Sequence, residues 1–178
     1  GDPCAAIRMW VHARKLYVEY ELYRFGLELD DTASAVCLTI PNFADYVTRA
    51  DSARPDSISY LKRHGLPRME GVKKAPGSVE DGVAHLRSYE QIIVHPRCKH
   101  FTDEAKLYKY KVDARSGDVL PEIVDAHNHL MDSGRYALQP MICGLRASGR
   151  LRRVVQTAVF RPLRYFSSGY SRMAPAMM

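Results

Sequence analysis

Two acids and one histidine are the residues of this chain whose types and spacing could do chemistry. Asp51 follows Tyr46-Val47-Thr48 and Ala50, and precedes Arg54-Pro55-Asp56 and an amphipathic stretch ending at Gly65. That order reads as strand, loop, helix, with a carboxylate at the C-terminal edge of the strand, where α/β sheets bind their ligands. The same residue would also serve as a turn or N-cap acid ahead of the helix start, and the local sequence leaves both readings open. The second position lies in Asp125-Ala126-His127-Asn128-His129-Leu130-Met131-Asp132. In a helix, His129 and Asp132 would share a face, so that an imidazole and a carboxylate could bind a metal or manage a proton. The more ordinary alternative is capping by Asp125 or Asn128, with Asp132 solvated.

Other clusters carry less. His95, Cys98 and His100 are close together, but a zinc site normally takes four ligands and no second pair follows. Neither G-x-x-x-x-G-K-[ST] nor G-x-G-x-x-G occurs, so nothing supports an ATP or dinucleotide site. Lys73-Lys74-Ala75-Pro76-Gly77-Ser78 is a basic loop running into a helix start, suited to holding a phosphate and equally to being a polar turn.

The elements that must position these groups follow from pattern and punctuation. Ala5 to Ala13 and Leu16 to Phe25 form a hairpin about the polar link Arg14-Lys15. A short helix begins near Asp30-Asp31-Thr32 and ends before Pro41. The strand before Asp51 and the helix to Gly65 come next. Arg68 to Lys74 reads as a strand, and Ser78 with Asp81 as the capped start of a helix reaching Tyr89. Gln91 to Val94 is a strand stopped by His95-Pro96, and Cys98 to Tyr108 a helix. Lys109 to Val112 and Val119 to Val124 flank the turn Arg115-Ser116-Gly117-Asp118, and His127 to Ile142 is helical although Gly134 costs about 1 kcal/mol relative to Ala. Strands alternating with helices after an opening hairpin predict an α/β domain with a mixed sheet flanked by helices.

With 178 residues and 46% hydrophobic side chains, one compact domain is expected. No apolar run of membrane-spanning length and no signal peptide is legible, which predicts a soluble intracellular protein whose four scattered cysteines are reduced thiols. The formal charge of +6 is uneven. After Ile142 come seven arginines and no acid, whereas residues 1–142 hold 19 basic and 20 acidic side chains. The division is therefore a main domain over 1–142 and a basic, partly disordered extension over 143–178, without a clear period except at Val154 to Phe160.

Six ordered blocks then give a resemblance. They are Leu16-Tyr17-Val18-Glu19-Tyr20-Glu21, Ala50-Asp51-Ser52-Ala53-Arg54-Pro55, Gly77-Ser78-Val79-Glu80-Asp81-Gly82, Ile93-Val94-His95-Pro96-Arg97-Cys98, Tyr108-Lys109-Tyr110-Lys111-Val112-Asp113, and Asn128-His129-Leu130-Met131-Asp132 with Arg135-Tyr136-Ala137. Together they resemble, over residues 1–142, the large terminase subunits of tailed phages and prophages, particularly the PBSX-like group.

The resemblance implies a ribonuclease H-like nuclease domain that cuts concatemeric viral double-stranded DNA in the bacterial cytoplasm. It normally sits behind an ATPase motor, and the full-length protein works with a small subunit and a portal. In that family one catalytic Asp lies on the first strand, a second at the end of a later strand and a third on the last helix beside a His; Asp51 matches the second, Asp132 the third and His129 the histidine. Mg2+ or Mn2+ in a two-ion site is the implied cofactor, held by Asp51 and Asp132, with Lys73, Lys74 and Arg54 as possible DNA contacts. The departures are at the start, where Asp2 of Gly1-Asp2-Pro3 matches a later, noncatalytic Asp, and at Ser133-Gly134. The motor and most of the first strand are expected to lie outside this sequence, leaving an exposed edge on the neighbouring hairpin. The rival reading is a catalytically inactive terminase module that only binds or packages DNA. Replacing Asp132 by Ala is expected to remove metal-dependent nicking and leave the fold intact.

Overall fold

The structure, a computed structural model, describes residues 2–124, 126–148 and 157–161. Strands β1 (Cys4–His12) and β2 (Lys15–Arg24) pair antiparallel. Their two-residue turn is Ala13-Arg14, one residue earlier than expected, with φ of 46° and 61°. Positive φ at both positions is the twist-compatible hairpin geometry. Alternation along β1 then feeds two cores, because Ala5, Ile7 and Met9 enter one cluster and Cys4 and Ala6 the other.

Helix α1 (Leu29–Thr39) stops short of Pro41 as expected, and β3 (Thr48–Ala50) leads through Asp51 to α2 (Pro55–Arg63), whose first residue is a proline that needs no N–H partner there. Strand β4 (Met69–Gly71) pairs parallel with β3 and is shorter than the expected Arg68 to Lys74, so Lys73 and Lys74 fall in the following loop. Helix α3 (Ser78–Arg87) is capped by Gly77 at φ 77° and not by the Ser78 hydroxyl; Asp81 donates its N–H to the Gly77 carbonyl. Strand β5 (Gln91–Val94) lies parallel to β2, and α4 (Lys99–Leu107) follows. Strands β6 (Tyr110–Val112) and β7 (Val119–Ile123) form a separate ribbon whose turn is fixed by the Asp113 carboxylate accepting the N–H groups of Arg115 and Ser116.

Helix α5 (His129–Ser148) starts after His127, which takes a left-handed φ of 52°, and continues past Ile142. Gly134 lets it lie close to β1, since a Cβ there would be 3.3 Å from the Met9 methyl. A last strand, β8 (Thr157–Arg161), overlaps the apolar stretch noted in the tail and ends one residue beyond it. The sheet order is β4-β3-β8-β1-β2-β5, with β8 antiparallel to β1 and parallel to β3. The edge of β1 that was expected to stand open is thus paired by the chain's own C-terminal segment. The rest of the predicted basic extension, at 149–156 and 162–178, lies outside the described residues.

The sheet is mixed and helices cover both faces. Leu130, Ala137 and Met141 of α5 join Leu86 of α3 and Phe101 of α4 over Ile7, Met9, Leu16 and Val18. On the opposite face Val36 of α1 and Leu61 of α2 pack with Leu22, Ile40, Phe43 and Met69. Each fully buried aliphatic side chain contributes about 1.5–3 kcal/mol. Among the described residues, no helix is long and apolar enough to cross a membrane.

Cys4, Cys37 and Cys98 are free thiols. Cys4 and Cys98 are fully buried, and burial pushes each thiol up to about 12. Because the thiolate is the reacting form, both are expected to resist maleimide at pH 8 while exposed Cys37 reacts, and to react once urea unfolds the chain. Peptide mapping of the labelled protein checks this, and rapid native-state labelling of Cys98 would contradict the packing.

Candidate functional site

Parallel pairing of β3 with β4 brings the two loops that leave these strands to one end of the sheet. Asp51 leaves β3 there and is 8% exposed. Its Oδ1 accepts the Ala53 N–H at 2.9 Å and lies 2.7 Å from Lys74 Nζ, and the Tyr136 hydroxyl is 3.4 Å from its Oδ2. The turn-acid reading and the site reading of Asp51 thus coexist: one oxygen shapes the loop while the carboxylate as a whole faces a lysine and a helix. The Lys74 ammonium also stands 5.8 Å from the Tyr136 ring centre.

Asp132 occupies the first turn of α5 and is 6% exposed, which removes the solvated alternative. Arg135, one turn along and equally buried, donates from Nη2 to Asp132 Oδ1. Burial works against the guanidinium charge; Asp132 first, then Tyr108 and Tyr136, more than offset it and hold the group above its ordinary pKa. The aliphatic part of Arg135 passes over Gly82 of α3, where a Cβ would stand only 2.8 Å from Arg135 Cδ. Asp132 and Tyr136 are four residues apart and share a face, so one turn of α5 touches both carboxylates: Asp132 belongs to it and Asp51 reaches it through Tyr136.

His129 stands three residues before Asp132, with its ring 6.2 Å from Tyr23, which in turn stacks on His100 at 4.5 Å. The first turn of α5 is fixed by Glu104 of α4, whose carboxylate accepts the N–H groups of His129, Leu130 and Met131 at 2.7–3.1 Å. Burial raises the Glu104 pKa, and those three bonds lower it in part. Of the expected DNA contacts, Lys74 is at the site, Lys73 is exposed and gives its carbonyl to Gln139, and Arg54 is the half-buried N-cap of α2. His95, Cys98 and His100 diverge: the Cys98 thiol donates to the Val18 carbonyl and His100 pairs with Glu21.

Two cavities flank this turn. One of about 90 Å3 is lined by Lys73, Lys74, Ser78, Arg135, Tyr136 and Gln139; the other, about 330 Å3, by Glu80, Tyr108, Lys111, Asn128, Asp132 and Arg135. Arg135 borders both. The donors suit a hard divalent ion, which takes one or two carboxylates and completes its shell with water and substrate phosphate. Each carboxylate already holds a cation in this fold, Lys74 on Asp51 and Arg135 on Asp132. Among the described residues no group of three or more His, Cys, Asp or Glu is gathered for a metal, so an ion held by either acid would take the rest of its shell from water and substrate phosphate. Sequence reasoning missed Arg135 and Glu104 as parts of the site. The i,i+3 spacing of Asp132 and Arg135 was the available signal for the first; the second had none nearby.

The family model described as Terminase RNAseH like domain matches residues 2–140. The large terminase subunit of Bacillus phage SPP1 is 36% identical over 142 residues, covering 78% of this chain and 33% of that protein. The PBSX phage terminase large subunit of Bacillus subtilis (strain 168) is 29% identical over 136 residues, covering 75% and 30%. The chain thus spans about a third of the length of these relatives. The crystal structure of the g2p (large terminase) nuclease domain from bacteriophage SPP1 with bound Mn superimposes with a TM-score of 0.72 at 34% identity, covering 79% of this chain and 80% of that one. The fold expected from the six blocks is therefore the fold found, and the chain belongs to the terminase ribonuclease H-like domain family, as a homologue of the nuclease domain of phage large terminase subunits.

Proposed function

We propose that this chain is the endonuclease part of a large terminase, hydrolysing phosphodiester bonds of concatemeric viral double-stranded DNA during packaging. The observation that carries the reading is the pair of buried carboxylates, Asp51 and Asp132, each satisfied by a cation at one turn of α5, in a fold shared with a manganese-bound nuclease domain. Asp51 and Asp132 would hold Mg2+ or Mn2+, and a bound ion supplies a more acidic water and charge neutralisation at the phosphoryl group. His129, one turn before Asp132, holds or passes a proton of the attacking water. Lys74, with Lys73 and Arg54 further out, binds the DNA backbone. The two-ion arrangement belongs to this reading as well and needs further oxygen ligands beyond the two acids. So do the small subunit and portal as partners of the whole protein, and the host cytoplasm as its place of work.

The inactive DNA-binding reading is favoured by one observation: among the described residues, no three His, Cys, Asp or Glu side chains are grouped so as to hold a metal. Supercoiled plasmid decides between them. Nicking with Mn2+ or Mg2+ that stops in chelator and falls at least about a hundredfold in Asp51→Asn supports the nuclease, in line with the usual cost of losing a group that acts in the transition state. A folded wild-type chain that binds the plasmid but never nicks it under any of these ions would leave the binding module.

A further inference from the structure

Beyond the two acids, the sheet ends on an apolar edge. Strand β5 is last in the sheet order and, among the described residues, pairs only with β2. Alternate N–H and C=O groups along its other side are therefore turned outward. Edge strands are ordinarily blunted by charge or proline, and Gln91-Ile92-Ile93-Val94 carries neither. Ile92 and Ile93 are 42% and 40% exposed, and successive side chains of a strand point to opposite faces. Ile92 and Val94 line a cavity of about 470 Å3 together with Phe101 of α4. Ile93 is in register with Tyr17 on the other face, where the Tyr17 ring stacks on Trp10 at 3.9 Å. The cavity is also of one charge: Arg87, Lys106 and Lys109 line it, and no Asp or Glu does. Arg87 lies 5.3 Å from the Tyr110 ring centre, and Lys106 meets Asp103 only in an exposed pair that contributes little.

We propose that β5 and this cavity form a docking site for an extended segment of another protein, apolar at every second residue and acidic at its ends. The segment joins the sheet as a strand beside β5. Its backbone supplies the hydrogen bonds that the edge leaves open, and its alternate side chains enter the cavity next to Ile92 and Val94. The acids at its ends meet Arg87, Lys106 and Lys109, which sets the choice of partner more than the affinity. Charge also decides against the other occupants. A second copy would bring the same three cations to face their equals. The chain's own sequence after Ile142 holds seven arginines and no acid. A DNA backbone would suit the cations but would leave the isoleucines and the strand edge unmet.

The test is fluorescence anisotropy of a panel of labelled peptides with the full 178-residue chain. Each peptide alternates Val, Ile, Leu or Phe with Thr between paired terminal Glu residues. At least one is expected to bind, and methylating its alternate backbone nitrogens should abolish binding, because a strand needs those N–H groups. Scrambling the alternation, or Ile92→Glu, should weaken it about tenfold or more. The double variant Lys106→Glu/Lys109→Glu should weaken it about tenfold and favour a Lys-ended peptide instead. Each variant is first checked for a folded circular-dichroism spectrum. Where Ile92→Glu fails to fold, Ala105→Trp fills the cavity from an exposed position on α4. No anisotropy change with any peptide of the panel overturns the proposal, as does equal binding of the methylated peptide. Three further results give the site to another occupant and overturn it as well. One is a short DNA duplex that displaces the peptide and is indifferent to Ile92→Glu. Another is a synthetic copy of residues 162–178 that displaces it. The last is a sedimenting dimer of the chain that Ile92→Glu dissociates.

Discussion

Asp132→Ala lowers the unfolding free energy of this domain by about 3 kcal/mol or more, because it leaves the Arg135 guanidinium buried without its counter-ion. Both side chains are 8% exposed, so water cannot take over the role of the missing carboxylate. This corrects the sequence-based expectation that the substitution would spare the fold. A nicking assay on Asp132→Ala alone would therefore mix loss of chemistry with loss of structure. Asp132→Asn keeps the volume and one acceptor oxygen and is expected to cost less. The double variant Asp132→Ala/Arg135→Met removes both charges and should recover most of the stability, since the stranded charge is gone. Urea midpoints of the three proteins check the argument; an Asp132→Ala midpoint equal to wild type would show that the pair contributes nothing.

The second large effect is expected at Glu104. Its carboxylate is 4% exposed and accepts three backbone N–H groups at the start of α5. A helix N-terminus leaves its first N–H groups without intrahelical partners, and here a side chain from another helix satisfies three of them while placing negative charge at the positive end of the dipole. Glu104→Ala should cost about 3 kcal/mol and loosen the turn that holds His129 and Asp132. Glu104→Gln keeps an acceptor but loses the charge, and should cost about 1 kcal/mol. Hydrogen exchange at Leu130 and Met131 is the direct readout, and full protection of both amides in Glu104→Ala would refute the capping role.

These residues also mark how far the sequence could be read. The hairpin was legible because its alternation and polar link are local, and the slip of one residue in the turn came from Ala13 adopting a positive φ that its type does not announce. Asp51 was legible as a strand-end acid since the strand, the loop and Pro55 are consecutive. Its partner Lys74 was read as part of a basic loop and as a possible DNA contact but not as the neighbour of Asp51, because their meeting depends on β4 pairing parallel to β3. Glu104 reads as one more surface acid of an amphipathic helix, and its three partners come 25 to 27 positions later. The apolar run at Val154 to Phe160 was visible as a run, but nothing in it says which two strands it will separate.

That last strand sets the order in which the protein can be made. Residues of β8 are synthesised after every other described element, yet they lie at the middle of the sheet, between β3 and β1. A nascent chain that has emerged through α5 has its hairpin and its β3–β4 pair, each presenting an unpaired row of N–H and C=O groups to the other across an empty position. Such edges template association with other chains, and long-range strand insertion is slow. Closing the sheet thus waits until β8 has been made, and pausing before residue 157 leaves a species prone to pairing with its neighbours.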